Sequence, residues 1–345
     1  AKHLLIVADG PLESLPMGIL AMEWDLKSDD ESGEGSLALV TENNQSSILE
    51  GQSPPEKSAK KHYKVYRKAK WLGQNYAITI LPSVLTLKTM RGINRQISPS
   101  QKPFIGFGDP LLSSKTEVSL SLNKKGFSRS LIKRVEQVRL LPNLPETEIE
   151  LLKIAKSLGA SADSVYLRQD ATETKVKSIE LSNAKILAFA THGLVSGQLK
   201  GLAEPALVLT PPEIGTDEDD GLLTASEVAQ LKLDADWVIL SACNTASSDG
   251  KPGAEGLSGL ARSFFYAGTR SLLVSHWPVE TNSAVELTTG IFEEMKNNPE
   301  IGRAEALRRS QNRLINHQTH PEYAHPYYWA PFIVVGEGGP IQTPN

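Results

Sequence analysis

Ile186-Leu187-Ala188-Phe189-Ala190-Thr191-His192-Gly193 decides how this chain folds, read together with Trp237-Val238-Ile239-Leu240-Ser241-Ala242-Cys243-Asn244. Each stretch is a short apolar run that stops at small residues and a reactive side chain. Such runs read as strands buried on both faces, the kind found in parallel sheets. In an open parallel sheet the carboxyl ends of the strands share one crevice, so residues just past two strand ends can meet there. A thiol and an imidazole in one crevice are a nucleophile and its base. Cys243 is the only cysteine in the chain, and it follows His192 by fifty-one positions. His276, near the end of another strand-like run, is the rival base, but Trp277 follows it instead of a small residue.

The chain has 345 residues, 40% of them hydrophobic and 22% charged, with a formal net charge of −4. That length buries a large core in one big or two smaller units. The mild acidity gives no general reason to expect nucleic acid or an anionic membrane as partner. No apolar run reaches the roughly 18 residues that cross a bilayer. One cysteine cannot form an internal disulfide, and a reactive thiol persists best in a reducing compartment, which favours a cytoplasmic home. The start on Ala1, directly before the strand-like run His3–Val7, reads as a fragment of a longer protein or a processed product.

From the amino terminus, His3–Val7 reads as a buried strand closed by Asp9-Gly10-Pro11. Residues 25–70 read as a long surface excursion, acidic and Ser/Gly-rich at first, then carrying seven basic residues between Lys57 and Lys70. Tyr63, Tyr66 and Trp71 interleave with those bases as in nucleic-acid binders, but a solvated or protein-docking surface fits the net charge better. Residues 77–81 and 104–107 are expected strands, 86–95 a short helix, and 111–134 a loop between two halves. A helix is expected over 146–158, with Ile149, Leu152, Ala155 and Leu158 on one face. Asp170 with Glu173 reads as one capping box, and Thr224 with Glu227 as another. Helices over 254–267, 283–297 and 301–316 alternate with strands at 271–275 and 332–335. Gly268 is expected to cap the first of these helices. The pattern predicts a doubly wound, mostly parallel α/β sheet flanked by helices.

Cysteine attack on an amide also needs donors aimed at the developing oxyanion. Gly193 would let its N–H approach a substrate with no Cβ in the way, and the N–H of Cys243 would be the second donor. Against this, a single cysteine at a sheet edge is commonly a small buried hydrophobe. The acidic run Asp217-Glu218-Asp219-Asp220 lacks the ordered oxygen spacing of a calcium loop. His317, His320 and His325 have loose ligand spacing with prolines between them, so a solvated loop is expected there. No metal or cofactor is expected.

Ala190-Thr191-His192-Gly193 and Leu240-Ser241-Ala242-Cys243-Asn244-Thr245-Ala246 resemble the CHAT domain, a caspase-like module of bacterial proteins often joined to TPR repeats. Further matches run along the chain: Asp9 to Pro16, Leu81-Pro82-Ser83, Gly108-Asp109-Pro110, Asp220 to Glu227, Gly253 to Arg262, Trp277-Pro278-Val279 and His325 to Ala330. His276 departs from the pattern, standing where leucine is common, and the excursion at 25–70 is longer than usual. The resemblance implies a clan that includes caspases, gingipains and separase, with a caspase-like fold. It divides the chain into an N-terminal α/β half, 1–140, with an insertion at about 25–70, and a catalytic half, 141–345. It implies a cysteine endopeptidase with His192 as base, Cys243 as nucleophile, and Gly193 and Cys243 as oxyanion donors, needing no third carboxylate. Separase-like relatives bind a basic P1 side chain through cleft acids, which makes Asp249, Glu255 and Glu280 the candidates here. The expected partners are a protein substrate and an activating protein or the chain's own TPR region. The alternatives are a scaffold that cleaves nothing, and a cysteine-dependent amidase acting on a small molecule.

Overall fold

The computed structural model describes residues 2–8, 15–23, 63, 65–85, 87–88, 101–112, 129–241, 259–277 and 279–340. The first elements are β1 (His3–Ile6), β2 (Ala21–Glu23), β3 (Lys70–Trp71), α1 (Leu72–Asn75), β4 (Ala77–Ile80) and β5 (Lys102–Pro110). Next come α2 (Arg129–Arg139), α3 (Glu146–Ser157), β6 (Val165–Arg168), α4 (Glu173–Ser178), β7 (Ala184–Ala190) and β8 (Gly193–Leu194). They are followed by β9 (Ala206–Val208), β10 (Leu222–Thr224), α5 (Ala225–Val228), β11 (Trp237–Ser241) and α6 (Gly259–Ala267). The chain closes with β12 (Ser271–Ser275), α7 (Thr281–Asn297), α8 (Arg303–Ile315), α9 (Pro326–Trp329) and β13 (Phe332–Gly336).

Eight strands form one sheet in the order β1-β4-β13-β12-β11-β7-β5-β6. All neighbours are parallel except β12 and β13. The α/β fold class and the parallel sheet flanked by helices are as the apolar runs predict. Alternate residues of each central strand enter different layers, following the two-residue period of a strand. Ile186, Ala188, Ala190, Trp237 and Ile239 pack with Leu151 and Ile154 of α3, Leu287 and Ile291 of α7, and Leu307 of α8. Leu187, Phe189, Val238 and Leu240 pack on the other side with Val176 of α4, Val228 of α5, and Leu260 and Phe264 of α6. Each fully buried apolar side chain of this kind contributes about 1.5–3 kcal/mol.

Several expectations change. β1 is an edge strand with Leu5 46% exposed, not a buried one, because only β4 flanks it. Within 111–134 the chain is already helical from Arg129, and Val135 and Val138 of α2 are buried. The basic residues Lys133, Arg134 and Arg139 on either side of them obscure an apolar spacing that a helix needs. The buried face of α3 is Thr147, Glu150, Leu151, Ile154 and Ala155, while Ile149 is 52% exposed. The helix is therefore turned by about one residue from its expected orientation, and a glutamate points inward. The cap of α4 is Thr172, whose hydroxyl accepts from Lys175 N–H at 3.0 Å, and Glu173 instead accepts from Asp220 N–H at 3.0 Å.

The Thr224–Glu227 capping box forms as expected, and Gly268 adopts φ 113° after α6. Of the helix expected at 86–95, residues 84–85 and 87–88 are helical, while 86 and 89–95 lie outside the described residues. Most of the 25–70 excursion also lies outside them. Its end is helical over 65–68, and Arg67 donates to the His317 carbonyl rather than standing in solvent. The boundary at 140 does not divide the sheet, because β5 lies between β7 and β6, and β4 pairs with β13.

Candidate active site

Strands β12, β11, β7, β5 and β6 run in one direction, so their carboxyl ends open along one edge. Chain order reverses between β5 and β7, the switch point where such sheets bind ligands. His192 stands two residues past the end of β7 at that point. Ala190 is the register partner of Ser241, the last residue of β11, so the two strands end level. Ala242, Cys243 and Asn244, like Asp249, Gly250, Gly253 and Glu255, lie outside the described residues.

The backbone around His192 is fixed by β9. The His192 carbonyl accepts from Val208 N–H at 2.9 Å, and the Thr191 hydroxyl donates to the Val208 carbonyl. The His192 imidazole is half-buried, and its Nε2 lies 2.8 Å from the Pro142 carbonyl oxygen. A carbonyl only accepts, so Nε2 carries the proton and Nδ1 is left as the basic nitrogen. A main-chain oxygen thus orients the ring, a role with no side-chain signature in the sequence. Gly193 pairs with Leu207 in the antiparallel β8–β9 ladder, and the flanking bond runs from Val208 N–H to the His192 carbonyl. That pattern makes Gly193 and Leu207 a non-hydrogen-bonded pair, so the Gly193 N–H turns away from β9.

Glu150, which no motif or spacing singles out, is fully buried beneath the end of β11. Its Oε2 lies 3.2 Å from the Ser241 hydroxyl and its Oε1 lies 2.8 Å from the Thr288 hydroxyl of α7. Burial pushes the carboxyl up to about 7, against the pull of those two hydroxyls. Thr147, one turn earlier on α3, accepts from Asp109 N–H at 2.8 Å and so ties the end of β5 to the same helix.

The rival base His276 is buried after β12, and burial lowers its pKa to about 4, leaving it neutral at pH 7. Glu280 caps α7: its carboxylate accepts from Asn282 N–H at 3.1 Å and Ser283 N–H at 2.8 Å. In the acidic loop, Asp219 accepts from Thr174 N–H at 3.1 Å and Gly221 N–H at 3.2 Å, and Asp220 pairs with Arg134 at 2.6 Å. Those carboxylates hold loops together. His317 and His320 pair with Glu286 at 3.2 Å and Glu322 at 2.9 Å. Among the described residues no group of three or more His, Cys, Asp or Glu side chains is arranged to hold a metal ion. No helix among them is long and apolar enough to cross a membrane.

The family model for the CHAT domain matches residues 1–337. The chain belongs to the CHAT domain family. This CHAT domain is 24% identical over 309 residues to tetratricopeptide repeat protein 28 of Homo sapiens, a match covering 80% of this chain and 11% of that protein. It is 25% identical over 285 residues to the Mus musculus protein of the same name, covering 73% of this chain and 11% of the relative. The CHAT domain therefore spans about a tenth of the length of the curated relatives it matches, and both are mammalian rather than bacterial. Among solved structures it resembles separase in the separase–securin complex of Saccharomyces cerevisiae, at TM-score 0.42 and 14% identity, covering 76% of this chain and 14% of that one. It also resembles the RgpB pro- and mature-domain complex of Porphyromonas gingivalis, at TM-score 0.45 and 10% identity, covering 77% and 56% respectively.

Proposed function

We propose that this CHAT domain is a cysteine endopeptidase in which Cys243 is the nucleophile and His192 the base. The observation that carries the reading is the register of β7 and β11: Ala190 faces Ser241, and each candidate lies two residues beyond its member of that pair. Two residues of chain reach at most about 7 Å, which keeps residue 243 close to the end of β11. The ring orientation supports the same reading, because the Pro142 carbonyl holds Nε2–H and leaves Nδ1 to take a thiol proton.

In the proposed reaction the Cys243 thiolate forms a C–S bond to the scissile carbonyl, and the N–H groups of Gly193 and Cys243 hold the oxyanion. The proton held by His192 passes to the leaving amine as the C–N bond breaks, and water then hydrolyses the thioester. The first 140 residues contribute strands to the sheet, and the proposed catalytic residues all come from 141–345. Asp249 and Glu255 remain the candidates for binding a basic P1 side chain, since the Glu280 carboxylate is engaged in capping α7. Equal turnover of peptides with Leu and Arg at P1 would remove that preference.

The scaffold reading is kept because both relatives are named for repeats rather than for a reaction. In that reading a protein partner binds without being cut. Co-expression with candidate substrate proteins separates the two. Cleavage by the wild type that is lost in Cys243→Ala and in His192→Ala supports the peptidase. Identical behaviour of all three with partner capture retained supports the scaffold.

A further inference from the structure

Glu150 carries a hydrogen-bond chain that the reaction above does not use. The Thr288 hydroxyl has one proton and lies 2.9 Å from the Ala284 carbonyl, four residues back on α7. The same hydroxyl lies 2.8 Å from Glu150 Oε1. An ionised carboxyl accepts its proton, whereas a protonated one donates to Thr288 and turns the hydroxyl proton to the Ala284 carbonyl. The other carboxyl oxygen then accepts from Ser241. The chain runs Ser241 to Glu150 to Thr288, and a neutral Glu150 extends it to the Ala284 carbonyl. It links the last residue of β11 to α3 and α7, two of the helices that cover this face of the sheet. The segment leading into α3 supplies the Pro142 carbonyl that orients His192. One helix with its leader therefore touches both strand ends.

We propose that Glu150 is a positioning residue: through Ser241 and Thr288 it holds the tip of β11 at the depth set by α3, and so sets the spacing between the end of β11 and His192. The catalytic meaning of that spacing rests on the peptidase reading; the clamp itself does not. Loss of the proton would leave a carboxylate facing only hydroxyls and apolar side chains. On α3 itself, Glu146 and Glu148 are half-buried on other faces and Lys153 is exposed. On the facing elements, Glu286 of α7 pairs with His317, and Asp109 at the end of β5 pairs with Arg168 of β6 at 3.4 Å. Lys185 sits at the opposite end of β7. None of these supplies a cation to an ionised Glu150.

The test uses the full chain with Glu150→Gln, Glu150→Leu and Thr288→Val. Backbone hydrogen exchange is followed across β11, and alkylation of Cys243 by iodoacetamide is followed by mass. Glu150→Gln keeps a neutral donor and acceptor, so exchange at Leu240 and Ser241 should stay near wild type below pH 7 and lose the extra rise above it, beyond the ordinary base catalysis of exchange, that ionisation of Glu150 adds. Glu150→Leu should raise exchange at that tip by about tenfold and change the alkylation rate. Thr288→Val, which removes one link while keeping the carboxyl, should raise it less and gives the reading if Glu150→Leu fails to fold. Exchange at β11 unchanged in a folded Glu150→Leu or Thr288→Val protein overturns the clamp. An alkylation profile that His192→Ala leaves unchanged, with the exchange effects present, sinks the dyad and leaves the clamp standing.

Discussion

At the scale of single residues, two buried groups pull stability in opposite directions as pH changes. His276 is neutral in the folded chain, with its pKa lowered from 6.5 to about 4, so the unfolded chain binds more protons between those values. Stability from this group therefore rises as pH goes from 4 to 6.5, by about 3 kcal/mol in all. Glu150 behaves the other way, because its pKa is raised from 4.5 to about 7. The folded chain holds the extra proton, and about 3 kcal/mol is lost as pH rises across that window. The two slopes nearly cancel in the wild type between pH 4.5 and 6.5. Urea unfolding should uncover each one: His276→Leu becomes steadily less stable towards pH 7, whereas Glu150→Gln gains stability over the same range. Parallel profiles for the two variants would contradict both assignments.

At the scale of elements, the tightest contact behind the site is between α3 and β5. A Cβ on Gly108 would lie 2.6 Å from Leu151 Cδ1 and 2.9 Å from the Ala190 carbonyl oxygen. Gly108→Ala should therefore cost about 1–3 kcal/mol, read as a lower urea midpoint, because helix, strand and the end of β7 must all shift. Thr224→Ala removes the capping box at α5, whose Thr224 N–H and hydroxyl meet Glu227 at 2.8 and 2.7 Å, and should cost about 1 kcal/mol.

The strands β7 and β11 were legible because both faces are covered, which leaves an unbroken apolar run in the sequence. So was the position of His192, which needs only the end of a strand. The face of α3 was not legible, since a carboxyl whose pKa burial raises packs like a core residue while remaining a glutamate to any hydropathy pattern. α2 was hidden for the converse reason: Lys133 and Arg134 break up a short apolar spacing that the core nevertheless uses. The Pro142 carbonyl had no signature at all, because main-chain oxygens are the same everywhere.

At the scale of the whole molecule, strands from early and late parts of the chain interleave in one sheet, so the two expected halves share a core. β13 shows this most clearly, pairing with β12 on one side and β4 on the other. A chain ending at residue 331 should lose cooperative unfolding and elute as aggregates, because the row breaks into two pieces with unpaired edges. A monomeric truncation product with a near-native melting temperature would contradict that. Placing β13 there also has a cost during synthesis. While the ribosome is still translating, β12 and β4 have only an unfilled slot between them, open to pairing with another nascent chain until β13 emerges.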